Sequence, residues 1–164
     1  MRTNHPRLRL LAVALSFAAM LVATTPALAE DRGFVDIQGC YFGTGQATVP
    51  ADTEFDIFAG WGAGSRGDQI AWLKSVQTTL IIDGGAPIAG ADTYWEPIFQ
   101  AVKEPGFNLW ITFWVYPHAA LGVGESITVY HAWSLRVPVY DGVFHFPTGI
   151  IFDGTCTITG VAPA

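Results

Sequence analysis

Three histidines lie beyond residue 29: His118, His131 and His145. Imidazoles bind zinc or carry protons, and a local zinc motif spaces them at i, i+2 or i, i+4. None of the three is paired that way. His131 falls on the apolar face of its strand, and His145 sits between Phe144 and Phe146, the pattern of core or edge histidines. His118 follows Pro117 in a loop and reads as solvated. A three-histidine site assembled from separate strands is the alternative. Serine catalysis wants a Gly-x-Ser-x-Gly elbow, and Gly64-Ser65-Arg66-Gly67 lacks that spacing. Glycosidase chemistry needs two carboxyls a few ångströms apart. Glu54, Asp56, Glu96 and Glu125 offer pairs, yet Glu54 and Asp56 alternate with Phe55 and Ile57 as an ordinary solvated strand face does. Asp83, Asp141 and Asp153 each precede Gly, with Asp52, Asp92 and Glu96 in loops. Such oxygens suit calcium, but no Asp-x-Asp-x-Asp string occurs, and Asp-Gly is turn chemistry. These residues predict no catalytic centre, no metal and no cofactor.

The elements that must position these groups begin after a leader. Arg2, Arg7 and Arg9 precede an apolar run from about Leu10 to Val22, and Pro26 and Ala27-Leu28-Ala29 follow. This reads as a secretory signal peptide over residues 1–29. The run is short of the roughly 20 residues that a spanning helix needs; an uncleaved anchor is the alternative. Residues 30–164 then form one domain. They carry 5 basic and 14 acidic side chains, a formal charge of −9. That balance argues against nucleic acid and against anionic membranes. The expected location is secreted, extracellular or in the cell envelope. Cys40 and Cys156 are the two cysteines. In an oxidising compartment an even count predicts a disulfide, which would draw the first and last strands together.

Eight segments read as strands: 34–41, 53–59, 77–83, 93–99, 108–116, 126–137, 143–146 and 155–159. Asp83-Gly84, Asp141-Gly142 and Asp153-Gly154 punctuate them as turns. Short strands at such spacing predict an all-β sandwich or barrel. In Asn108–Tyr116 one face carries Leu109, Ile111, Phe113 and Val115, the other Trp110, Thr112, Trp114 and Tyr116. In Ser126–Val137 the apolar face carries Ile127, Val129, His131, Trp133 and Leu135, the other Tyr130. Side chains alternate across a strand, so the aliphatic faces read as core. The two strands are expected to pair antiparallel, a cross-sandwich connection being equally legal. If both second faces point outward in one sheet, Trp110, Trp114, Tyr116 and Tyr130 form an exposed aromatic patch that could bind a ligand. The competing reading buries them under Tyr94-Trp95 and Trp72.

Arg66-Gly67-Asp68 spells a cell-adhesion tripeptide. The following Ile70, Leu73 and Val76 recur at helical spacing, so a short helix is expected near 68–75, with Asp68 as its N-cap. A helix start explains the tripeptide without an adhesion role.

The stretch AGWGAGSRGDQIAWLKSVQTTLIIDGG (59–85) resembles a motif of uncharacterised secreted bacterial proteins, and GVGESITVYHAWSLRVPVYDG (122–142) is similar to the same group. The resemblance implies an immunoglobulin-like or fibronectin-type-III-like antiparallel sandwich of about 7–9 strands. Its motifs are structural and bring no catalytic residue. Cys40 and Cys156 lie too near the ends to match the inter-sheet pair of antibody domains.

Three functions follow, in order. The first is a non-catalytic extracellular interaction module whose partner is an unknown protein. The second is a carbohydrate-binding module that stacks a polysaccharide on the Trp110, Trp114, Tyr116 and Tyr130 face. The third is a small secreted hydrolase.

Overall fold

The computed structural model of the chain describes residues 32–104 and 107–163. The signal-peptide reading over 1–29 lies outside the described residues. The elements are β1 (Gly33–Asp36), α1 (Ile37–Phe42), β2 (Gln46–Pro50), β3 (Phe55–Ala63), α2 (Arg66–Ser75) and β4 (Val76–Ile82). A 3-10 turn (Ala91–Thr93) precedes β5 (Phe99–Glu104), β6 (Phe107–His118), β7 (Ser126–Leu135), β8 (Val139–Tyr140), β9 (His145–Phe146) and β10 (Gly149–Val161).

These strands form an all-β sandwich. The first sheet runs β1-β3-β6-β5 and the second β2-β10-β7-β4, with β8 and β9 as a small separate hairpin. The central ladders are antiparallel, as expected, whereas the edge strands β1 and β2 pair parallel with β3 and β10. The long strands β6 and β7 sit in opposite sheets. Their connection is therefore the cross-sandwich one. Phe55, Ile57, Ala59, Trp61 and Trp114 from the first sheet meet Val49, Leu80, Val129, Trp133 and Ile158 from the second in one core.

Local chemistry explains where the elements depart from their expected bounds. The segment 34–41 is strand only as far as Asp36. There Asp36 Oδ1 accepts from Gln38 N at 3.1 Å and Gly39 N at 3.0 Å and starts α1. The strand β2 had no expected counterpart, and 93–99 is mostly a covering loop with a bridge from Trp95 to Trp114. Asp83 and Gly84, at φ +51° and +67°, make the expected tight turn. Asp141 makes its own by accepting from Val143 N and Phe144 N. Asp153-Gly154 is not a turn. It lies inside β10, with Gly154 opposite His131. A Cβ on Gly154 would come within 2.4 Å of Tyr41 Cγ, so a glycine there makes room for α1.

The disulfide joins Cys40 on α1 to Cys156 on β10, with Cα atoms 5.8 Å apart across 116 residues of chain. It ties the second sheet to the segment that leaves the first strand.

In α2 the N-cap is Ser65 rather than Asp68. Ser65 Oγ accepts from Asp68 N at 3.1 Å and donates to Asp68 Oδ2 at 2.7 Å. Arg66 and Gly67 are exposed in the first turn. The inward face is Gln69, Trp72 and Ser75, one step out of phase with the expected Ile70 and Leu73. Loss of the cap in Ser65→Ala should lower the unfolding free energy in urea by about 1 kcal/mol, while Arg66→Ala should move it by less than about 0.5 kcal/mol. Equal effects would mean that the reciprocal Ser65–Asp68 bonds do not hold the helix start.

Candidate functional site

The register of β3 against β6 decides which face of β6 is inside. Ile57 opposes Tyr116, Ala59 opposes Trp114 and Trp61 opposes Thr112. The alternate residues of β3 are buried, so Trp110, Thr112, Trp114 and Tyr116 point into the sandwich. This corrects the expectation that Leu109, Ile111, Phe113 and Val115 face the core, although Ile111 is buried on the outer side of the sheet at 8% exposure. An aromatic ring buries more apolar area than an aliphatic side chain, and the interior takes the larger set.

Trp114 has 0% exposure, and its Nε1 donates to Ala91 O at 2.7 Å. Tyr116 stacks on it at 6.2 Å, and Tyr94 packs edge-on against both rings. Trp110 is half-buried on the same inward face. Tyr130 stands on the other sheet, facing outward opposite Thr155 and Ile81, with its hydroxyl 3.4 Å from Asp153. The four expected ligand residues are therefore not one surface. Trp114 and Tyr116 belong to a packed cluster, and Tyr130 lies across the sandwich from them. Thr112, a candidate for holding sugar hydroxyls, is buried and donates to Glu96 O.

The exposed aromatic surface lies on the opposite face of the same sheet. Gly60 pairs with Phe113, Phe58 with Val115 and Phe99 with Ile111, which sets these residues outward. Phe34 on β1 pairs with Asp56 and joins them. Four rings make a row across all four strands. Phe34 meets Phe58 at 6.5 Å, Phe58 meets Phe113 at 6.0 Å, and Phe113 meets Phe99 at 5.6 Å. Gly60 lets the Phe113 ring lie flat on the backbone of β3, because a Cβ there would touch the ring at 3.0 Å. Phe34 is 42% exposed and Phe99 39%. The readable signal was that β6 carries large apolar residues on both faces and that β3 carries Phe58 on the face of Asp56. A two-layer sandwich has one interior, so one of two apolar faces must be left in water.

The histidines are far apart in character. His118 Nδ1 lies 2.8 Å from Ala119 O, beside the Phe55 ring, and His145 stacks on Tyr140 at the surface. His131 has 0% exposure, and neither ring nitrogen has a hydrogen-bond partner. Trp114, Trp133 and Tyr41 surround it at 5.0, 5.3 and 6.3 Å. Beyond them Trp61 stacks on Trp72 at 3.8 Å, and Trp133 meets both edge-on. Among the described residues no group of three or more His, Cys, Asp or Glu is placed to hold a metal ion.

Burial holds the His131 pKa down from 6.5 to about 3, because the apolar surroundings penalise the cation. The unfolded chain takes up this proton below about pH 6.5 and the folded chain does not. Stability is therefore complete above that pH and falls as the pH drops toward 3, by up to about 1.4 kcal/mol per pH unit. His131→Leu removes two unpartnered polar atoms at similar volume. Urea denaturation at pH 7 and pH 4 should find that variant at least as stable as the parent, with the acid loss reduced by the histidine's share. An unchanged acid slope would show that His131 is not its source. Iodide quenching should separate the tryptophans in the same way. Trp110→Phe should remove more of the quenchable fluorescence than Trp114→Phe, whose ring is sealed.

Compared with known proteins, the chain matches no family model, no curated protein sequence and no solved structure.

Proposed function

We propose that this is an exported, non-catalytic binding module that docks a partner protein on the outer face of the first sheet. The observation that carries this reading is the Phe34–Phe58–Phe113–Phe99 row, apolar side chains facing water across four strands. Exposed contiguous apolar surface on a folded domain is the mark of an interaction site. Export is supported by the leader-like residues 1–29 and by the Cys40–Cys156 bond, which persists in oxidising compartments. Among the described residues no helix is long and apolar enough to cross a membrane.

The row favours protein over polysaccharide. Two of the three ring contacts, Phe34–Phe58 and Phe58–Phe113, are edge-to-face, and sugar stacking uses a flat platform. Of the outward neighbours, Gly60, Gly62, Ile111, Val115 and Pro117 offer no side-chain group to hold a hydroxyl, and the carboxylate of Asp56 lies only at one end of the row. The partner's chemistry follows from charge. Asp56 stands in register between Phe34 and Pro117 at one end of the row, and residues 30–164 carry −9 overall. An apolar centre with a basic rim complements such a surface.

The test is capture from the extracellular and envelope fractions on immobilised protein, with Phe34→Ser and Phe99→Ser as controls. Both residues are exposed, so the variants keep the fold. One partner held by the parent, released by either variant, weakened by salt and cross-linked through an apolar, lysine- or arginine-rimmed patch supports the reading. Equal retention by the variants overturns it. So does retention on insoluble polysaccharide, or a self-dimer in sedimentation that Phe34→Ser dissolves.

A further inference from the structure

We propose that the second turn of α1 is a disulfide-held plug over His131, and that reducing Cys40–Cys156 converts a sealed imidazole into an accessible, proton-binding one. His131 has neighbours on every side but one within the two sheets. Leu80 on β4 opposes it in the ladder, Trp133 flanks it on its own strand, and Trp114 faces it from β6. On the β10 side its ladder partner is Gly154, which has no side chain. Tyr41 fills that opening. Its ring lies against Gly154 and stacks on the imidazole at 25° and 6.3 Å.

The covalent tie sits at the same place. Cys40, next to Tyr41, is bonded to Cys156, two residues beyond Gly154 on the same face of β10. The first turn of α1 has other anchors: the Asp36 cap, the fully buried Ile37, and Gln38 Oε1 accepting from Gly60 N at 3.0 Å. The second turn has the disulfide and an edge-on contact of the exposed Phe42 with Phe152 at 6.0 Å, and the chain leaves it through Gly43 and Gly45, the latter at φ +73° with its carbonyl accepting from Thr157 N at 2.9 Å, which is where a swinging turn would pivot. A six-residue helix is not stable alone. With the bond broken, the second turn can swing on the first and carry Tyr41 out. Water then reaches two imidazole nitrogens that had no partner, which favours opening.

The redox step balances with a dithiol reductant. It supplies two electrons and two protons to the S–S bond, leaving the Cys40 and Cys156 thiols, and closes its own disulfide. The titratable side chain packed on His131 is Tyr41, whose own ionisation is pushed up by burial first and then by the charge of Asp36, with Asp153 adding to it. Leu80, Gly154, Trp114 and Trp133 bring no charge to the imidazole.

The experiment is diethyl pyrocarbonate modification of the full protein, read residue by residue by mass spectrometry, with and without dithiothreitol. Near-UV circular dichroism of the tryptophan cluster reports whether the core stays packed. In the oxidised protein His145 should react and His131 should not. After reduction, with the near-UV signal kept, His131 should react within about tenfold of His145, as an opened local segment does. The imidazole C2 proton should then titrate near the ordinary 6.5 instead of about 3. Tyr41→Ala, with the disulfide intact, should expose His131 in the same way. Protection of His131 in the reduced protein overturns the redox release, and protection in Tyr41→Ala overturns the plug. Exposure that comes only with loss of the near-UV signal overturns the proposal, since that is global unfolding.

Discussion

The bond between Cys40 and Cys156 is the constraint on which the rest of the molecule leans. Between β1 and β2 the chain leaves one sheet and enters the other, and α1 is that crossing. The disulfide fixes the crossing to β10, the strand that pairs with both β2 and β7 and so holds the middle of the second sheet. Closing a loop of 116 residues removes chain entropy from the unfolded state, by about 4–5 kcal/mol in the entropic view. It also holds Tyr41, the neighbour of Cys40, against the side of the sandwich.

Packing then divides the aromatic residues between the interior and the outer face. The tryptophans Trp61, Trp72, Trp114 and Trp133 go inside, where their area is removed from water. Phe55 joins them, while Phe34, Phe58, Phe99 and Phe113 remain on the outer face of the first sheet. That partition links the core to the proposed function. The strands β3 and β6 carry rings on both sides, so the packed interior and the face proposed for docking are two sides of the same pair of strands. The backbone under the row is braced by the core beneath it, and little conformational freedom is left for a partner to freeze out.

The interior is less comfortable than its apolar content suggests. His131 and the indole nitrogens of Trp61, Trp72 and Trp133 are buried without hydrogen-bond partners. Native cores carry few such atoms, and these lie in contiguous rings that run from Trp61 and Trp72 beside α2 through Trp133 to His131, where Tyr41 of α1 covers the end of the series.

Local chemistry determined much of this from the sequence. The sandwich class, the Asp83-Gly84 turn, the short helix before β4 and the disulfide partners follow from alternation, turn residues and a count of two thiols. Each depends on neighbours along the chain or on composition. Local pattern could not say which face of β6 is inside, because both faces are apolar and alternation marks a period without marking a side. The register with Phe55–Ala63 decided that. It moved Trp114 into the core and left Phe113 outside. Asp153-Gly154 reads as a turn for the same reason. The need for a glycine there arises from Tyr41, which is 113 residues away in the chain and in contact in space. The candidate surface and the plug over His131 both come from contacts between distant segments, and only the tertiary structure brings those together.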